Sequence, residues 1–370
     1  MSQVTMIGCD LHDRNMLLKV AVGRCKPTQL EFFNDSKGRC KMISALKKIA
    51  TQEGDGRIIF VYEASGLGHG LSDQLHAAEI ECHVLSPNQL PKTPKSAKLK
   101  TDAKDAQMLL EQVRGFILAG NSMPVVWTPP KQLRADRELI RGRVDVADEI
   151  TRVKLKLKSF MKVNQLPCES PTSTLWTKAH LRKIRSSMLD QMDFCLATKL
   201  RLLLERLEYY QHEMQELDKA VKELSKTERY RCPCTELRRL AGVGLLVAMT
   251  FLTEMGDVNR FNNRREIAAY LGLCPASYES GAADNRKGRI TRQGPARLRK
   301  MLCQAAWVSI QHCKVSAEAY QRIRQDQKKR TKKALVALMR KLAIKMWHKA
   351  MEAGVSPELQ GRGGPHAVLA

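Results

Sequence analysis

Apolar positions in the first hundred residues fall in short runs separated by turn residues and by stretches of helical spacing. "VTMIGCD" (4–10) and "NMLLKVAV" (15–22) are consecutive runs of strand length joined by a tight turn, and "QLEFFN" (29–34) offers a third strand before a helical pattern over 37–51. The continuous apolar run "RIIFVYE" (57–63) has the length of a buried strand. A helix is expected from Ala64 to Ala78, then a strand at "IECHVLS" (80–86). A hairpin that continues as alternating strand and helix predicts an α/β layer fold.

After Pro91 and Pro94 helical spacing takes over from Asp102, with breaks at "TPPK" (128–131) and "QLPCESPTS" (165–173). Leu196, Leu200, Leu203, Leu207, Tyr210, Met214, Leu217, Val221 and Leu224 follow one another at steps of four and three, a heptad seam that requires a partner helix. That partner is either the helix around 133–163 or another subunit. "RCPCTEL" (231–237) interrupts the pattern and opens an all-helical segment ending near Met351; the Gly- and Pro-rich tail beyond it is expected to be disordered. The expected division is 1–128, 129–230, 231–352 and 353–370.

Charge changes this picture more than composition does. The chain of 370 residues has a net charge of +25, and residues 1–90 hold ten basic and ten acidic side chains. The excess therefore belongs entirely to residues 91–370, which suggests a neutral catalytic module joined to a grip for a polyanion. The eleven cysteines lack paired zinc-ligand spacing, Cys232 and Cys234 included, and are expected to be reduced thiols of a cytoplasmic protein. Neither a signal peptide nor a membrane span is expected.

Within the neutral module, Asp10 closes the first strand and Glu63 the long apolar one. Strand ends of this kind gather at the rim of an α/β sheet, where ligands bind. Asp102 and Asp105, in "KTDAKDA", share a helix face and stand among Lys98, Lys100 and Lys104. Each acid alone reads as readily as a solvated surface group, and Asp102 as a favourable charge at a helix N-terminus. Together, four carboxylates in one pocket would need cations, and two Mg²⁺ ions are the fitting choice for all-oxygen ligands acting on a phosphodiester. Asp13, Asp73 and Glu111 close no apolar strand and are weaker candidates.

The basic remainder carries three further patterns. Gly242 and Gly244 in "LAGVGLLVAMTFLTEMGD" fit either a helix-hairpin-helix turn offering N–H groups to phosphate or a plain close turn between helices. Ser277, Tyr278 and Ser280 precede Gly281 and a run containing Arg286, Lys287, Arg289, Arg292, Arg297, Arg299 and Lys300. A serine there is either a turn residue or a nucleophile whose attack on phosphorus those cations would assist. The amphipathic stretch 321–349 sets an apolar face of Leu335, Leu338, Leu342 and Met346 against a basic one. No Walker A loop is present, and "GLGHG" (66–70) is not a dinucleotide fingerprint, which disfavours ATP-driven chemistry.

With "IGCDLH", "VYEASG", "KTDAKDA", "LAGVG…MGDVNRF", "AAYLGLCP" and "ESG…KGRITRQG" in this order, the chain resembles the DEDD-type insertion-sequence transposases, relatives of the pilin-gene inverting recombinase. The resemblance implies a RuvC-like, RNase H-type N-terminal domain, a coiled-coil segment and an all-α C-terminal transposase domain. It implies that Asp10, Glu63, Asp102 and Asp105 are the metal-binding acids, and that Ser280, with Ser277 second, forms a covalent link to DNA. It also implies a structured guide (bridge) RNA, donor and target DNA, a tetramer whose site joins acids of one subunit to the serine of another, and action at the bacterial nucleoid. Two other readings compete: a Holliday-junction-type nuclease using the same acids with water, and a basic RNA-binding scaffold without activity.

Overall fold

The computed structural model describes residues 3–90, 101–166, 176–188, 192–278, 286–325, 327–354 and 356–363. They form two compact units, one of residues 1–129 with 361–370, the other of residues 130–360. Segments 129–230 and 231–352 therefore share one body.

The first unit contains β1 (Thr5–Leu11), β2 (Asn15–Val22), β3 (Thr28–Phe33), α1 (Ser36–Gln52), β4 (Ile58–Glu63), α2 (Gly70–Ala77), β5 (Glu81–Leu85) and α3 (Asp102–Ala119). The sheet order is β3-β2-β1-β4-β5, with β1, β2 and β3 antiparallel and β4 and β5 parallel to β1. This mixed sheet flanked by helices is consistent with the RNase H-like expectation. Strand alternation divides the core in two. Ile7, Cys9, Phe60 and Tyr62 face Met42 and Leu46 of α1 and Leu71 of α2, while Met6, Ile59 and Val61 face Leu109, Leu110 and Val113 of α3. The α2 helix starts six residues later than its sequence suggests. Gly68 takes a positive φ of 70° and the Ser65 hydroxyl accepts from Leu67 N, so 64–69 is turn, not helix.

The second unit contains α4 (Lys131–Val163), α5 (Lys178–Met188), α6 (Phe194–Lys226), α7 (Glu228–Arg238), α8 (Leu245–Met255), α9 (Arg264–Tyr270), β6 (Pro275–Tyr278), β7 (Arg286–Ile290), α10 (Ala296–His312), α11 (Lys314–Arg324) and α12 (Thr331–Ala353). The helical break falls at Thr227, and α7 continues through Pro233. Buried Asp136 of α4 accepts from Arg229 and from the Tyr230 hydroxyl, and Glu254 of α8 accepts two bonds from Arg141. These charged pairs tie α4 to the helices that follow α6.

The seam on α6 has a partner in its own chain. Leu200, Leu203 and Leu207 lie buried with Val153, Leu157 and Met161 of α4, while Arg143, earlier in α4, pairs with Asp218, later in α6. The two helices thus run antiparallel. Leu203→Asp should place a charge in this core and cost the unit about 3–5 kcal/mol in chemical denaturation. An unchanged unfolding midpoint would show that Leu203 does not serve this core.

Two expectations are corrected here. The C-terminal segment is not all-α, because β6 and β7 form an antiparallel ribbon pairing Ser277 with Lys287 and Tyr278 with Arg286. Strands of four and five residues, one with a glycine and three basic side chains, have too little alternation to be seen in sequence. The tail is also ordered in part. Pro357–Leu359 makes a 3₁₀ turn with Leu359 buried, and Arg362 pairs with Thr128 through two backbone bonds of 2.7 and 3.0 Å. Gly361 permits this by lying against the Trp127 ring, where any side chain would overlap it. Among the described residues no helix is long and apolar enough to cross a membrane.

Candidate active site

Asp10, the last but one residue of β1, and Glu63, the last of the parallel β4, stand one step beyond the last registered pair of these neighbouring strands, Cys9 and Tyr62. By strand alternation Asp10 shares a face with Met6 and Gly8, and Glu63 with Ile59 and Val61, which is the face α3 covers. Gly8 makes that coverage close. A methyl group there would overlap the Ala106 carbonyl and Leu110 N of α3. With the helix pressed on Gly8 and running opposite to β1, its first turn, carrying Asp102 and Asp105, comes to the end of the strand where Asp10 stands. Gly8→Ala should therefore move the start of α3 and weaken the binding of an added divalent cation at these acids even though no charged group is changed. Unchanged cation binding with a wild-type unfolding midpoint would refute this account of the glycine.

The turn after β1 adds a group that the sequence reading passed over. His12 Nε2 donates to Asp10 Oδ2 at 3.1 Å and stands 3.5 Å from Asp102 Oδ1. Asn34 fixes this turn by donating to the His12 carbonyl at 2.6 Å, and His12 N donates to the Asn15 carbonyl. Asp10, His12 and Asp102 offer ligand atoms that all lie within 4.8 Å of one another. Glu63 and Asp105 are not in that tight set. The only sequence sign of His12 is its place two residues after Asp10, on the same side of the chain.

Burial pushes the Asp10 carboxyl above its ordinary range; the His12 imidazole opposes the shift, and the charges of Asp102 and Asp105 add to it. A carboxylate held among like charges, half-buried, is what a cation would relieve. Hard carboxylate oxygens suit Mg²⁺, and the imidazole would make Mn²⁺ at least as acceptable. At the helix end, Lys104 N and Asp105 N donate to the Thr101 carbonyl, and the first-turn aspartates are favoured by the helix dipole whether or not an ion is bound. Of the weaker candidates, Glu111 is engaged with Gln107 and Arg114.

The second unit treats its expected phosphate contacts unequally. Ser280 lies in 279–285, outside the described residues, in sequence between β6 and β7. Arg289 and Arg292 are exposed, with Arg292 at a positive φ of 57°. Arg297 instead forms an ion pair with Asp145 of α4 and Lys300 pairs with Asp148. Arg299 donates to the carbonyls of Leu271, Gln293 and Gly294, closing the base of the ribbon. Gly242, at a φ of 84°, presses on Ala305 and Ser309 of α10, so its lack of a side chain serves helix packing. Gly244 precedes α8 and has open space where a side chain would stand.

Comparison with known proteins bears on both units. A family model for the DEDD transposases of IS110 type matches residues 7–164, which include all four acids. A second, described as the transposase IS116/IS110/IS902 family, matches residues 234–322, which include the ribbon and Ser280. The chain is 29% identical over 252 residues to a Sinorhizobium fredii protein with a provisional transposase name (y4qE), an alignment covering 68% of this chain and 58% of that protein. It is 25% identical to the transposase for insertion sequence element IS1533 of Leptospira borgpetersenii, over 66% of this chain and 69% of the relative. A shorter match, 31% over 107 residues, covers 29% of this chain and 33% of the pilin gene-inverting protein of Moraxella bovis. Two models of one family, matching successive parts of the chain with the acids in the first and the ribbon in the second, lead to one conclusion: the chain belongs to the IS110/IS116/IS902 family of DEDD-type insertion-sequence transposases.

Proposed function

We propose that the protein is a site-specific DNA recombinase that cuts and rejoins the ends of its insertion sequence, guided by a structured RNA and working as a tetramer. The observation that carries this reading is the convergence of Asp10, from a strand end, with Asp102, from the first turn of a helix pressed against that strand. Asp10, Glu63, Asp102 and Asp105 would hold Mg²⁺, with His12 beside them. Bound there, the metal would polarise a scissile phosphodiester and offset charge developing on its oxygens.

The chain's own groups do the rest. The carboxylates fix where the phosphate is presented, and His12, hydrogen-bonded to Asp10, can hold a proton next to them. Ser280 supplies the hydroxyl that attacks phosphorus: the serine oxygen bonds to phosphorus, the bond to one DNA oxygen breaks, and that oxygen leaves with a proton. The resulting phosphoserine ester keeps the bond energy, so a second DNA hydroxyl can take the phosphoryl group and free the serine without ATP. Arg286, Lys287, Arg289 and Arg292, on and beside β7, would hold the backbone on either side. Arg297, Lys300 and Arg299, being committed to protein partners, would contribute less.

The reading is tested by strand exchange between donor and target DNA in the presence of the element's RNA. A chelator should stop exchange and leave RNA binding intact, because binding rests on the basic second unit. Exchange that persists without divalent metal would overturn it; metal-dependent cutting with only free DNA ends would leave the nuclease.

A further inference from the structure

A cavity of about 430 Å³ in the second unit opens among the turn after α7, the α10–α11 corner and α12. Its volume is in the range of small-ligand clefts, roughly 300–1,000 Å³. Arg239, Arg322, Lys341 and Lys345 line it, and no carboxylate does. Arg239 pairs with Glu236 at 2.8 Å, whereas Arg322, Lys341 and Lys345 have no acidic partner among the described residues. The floor is apolar, made by Leu240, Leu338 and Leu342. Lys341 and Lys345 stand one turn apart on α12, so the helix alone would space them to bracket a phosphate. None of these seven residues belongs to the acid cluster or to the ribbon.

Like charges gathered around an apolar recess repel one another unless an anion lies between them. The complementary ligand has a flat apolar body and flanking negative charges. Duplex DNA presents phosphates with its bases stacked inside, so it would engage the rim and leave the floor empty. We propose that this cavity binds an unstacked nucleotide of a single-stranded nucleic acid, its base on the leucine floor and its phosphates on Lys341, Lys345 and Arg322. The inference rests on the function proposed above only for the class of ligand, and no strand exchange is needed to examine it.

The test uses the full chain, a fluorescein-labelled dodecamer of thymidylate and a twelve-base-pair duplex, with binding followed by anisotropy across a salt series. Lys341→Gln with Lys345→Gln should weaken single-strand binding roughly tenfold and lower the salt slope by about 1.4, twice the 0.7 expected per single-strand phosphate contact. Duplex binding should change less than twofold. Lys332→Gln with Lys333→Gln, exposed on the same helix outside the cavity, removes the same charge and is the control. Equal losses in the two double variants would overturn the proposal. A second measurement does not depend on affinity. Cys313 lines the cavity, and hydrogen bonds from Ser316 hold its thiol below the usual range, so it reports occupancy through its alkylation by iodoacetamide, read by mass spectrometry. Saturating dodecamer should slow that alkylation in the wild type. An unchanged rate, or equal protection by thymidine monophosphate alone, would overturn the assignment to a single strand. Protection of Cys313 by a chain that never exchanges strands upholds the cavity and counts against the recombinase. Strand exchange by a chain whose Cys313 is never protected does the reverse.

Discussion

Ser280→Ala should bind DNA and RNA as the wild type does and yet leave no protein-linked DNA. A recombinase has to hold a broken end until a new partner arrives, and an ester to the chain itself is the way to do so without ATP. Ser280 precedes Gly281, which would let backbone approach phosphate closely, and is followed by Arg286, Lys287 and Arg289. Ser277, the alternative, is paired with Lys287 in the ribbon ladder, which restrains its backbone. Loss of a nucleophile typically costs four orders of magnitude or more, so exchange should fall by roughly that factor. On denaturing gels the wild-type reaction should give DNA that migrates slowly until protease is added, and Ser280→Ala should give none. If Ser277→Ala loses the adduct and Ser280→Ala keeps it, the nucleophile is Ser277. If both variants exchange strands normally, the covalent route is wrong.

Asp10→Asn should separate stability from activity. Burial raises the Asp10 carboxyl above its ordinary range. A raised carboxyl contributes stability that is complete below its unfolded value and lost as pH rises through the folded one, so at neutral pH its ionised form is a net cost. Metal-free Asp10→Asn should therefore melt roughly 2 °C higher at pH 7, a gap that closes as the pH falls into the carboxylate range. Its exchange activity should fall by roughly 10³. Added Mg²⁺ should raise the melting temperature of the wild type and leave that of the variant where it is, because a ligand stabilises only the form that binds it. Equal stabilisation of both by Mg²⁺ would remove Asp10 from the metal-binding set.

The sheet was readable in the sequence because its strands bury one or both faces. "RIIFVYE" has to be a core strand, so Glu63 has to stand at its end, and Asp10 follows from β1 by the same reasoning. The helix beginning at Asp102 was equally plain. What closes the site was not, because Gly8 and His12 matter through contacts between distant segments: one admits the backbone of α3, the other reaches Asp10 and Asp102 at once. The same limit hid the partners of Arg297 and Lys300, 152 residues away on α4. Charge density marked the second unit as basic, but it could not say which cations were already engaged with protein.

The pairing of Thr128 with Arg362 has a consequence for how the protein is made. The first unit can build its sheet as soon as α3 has left the ribosome, but its last backbone pair waits for residues synthesised after the whole helical unit. For more than 200 intervening residues Trp127 lacks the Gly361 backbone that covers it in the finished chain. Folding that proceeds in the order of synthesis therefore leaves the sheet that carries the four acids unclasped until the basic helical unit exists. A nascent chain stalled before residue 361 would carry all four acids without that final clasp.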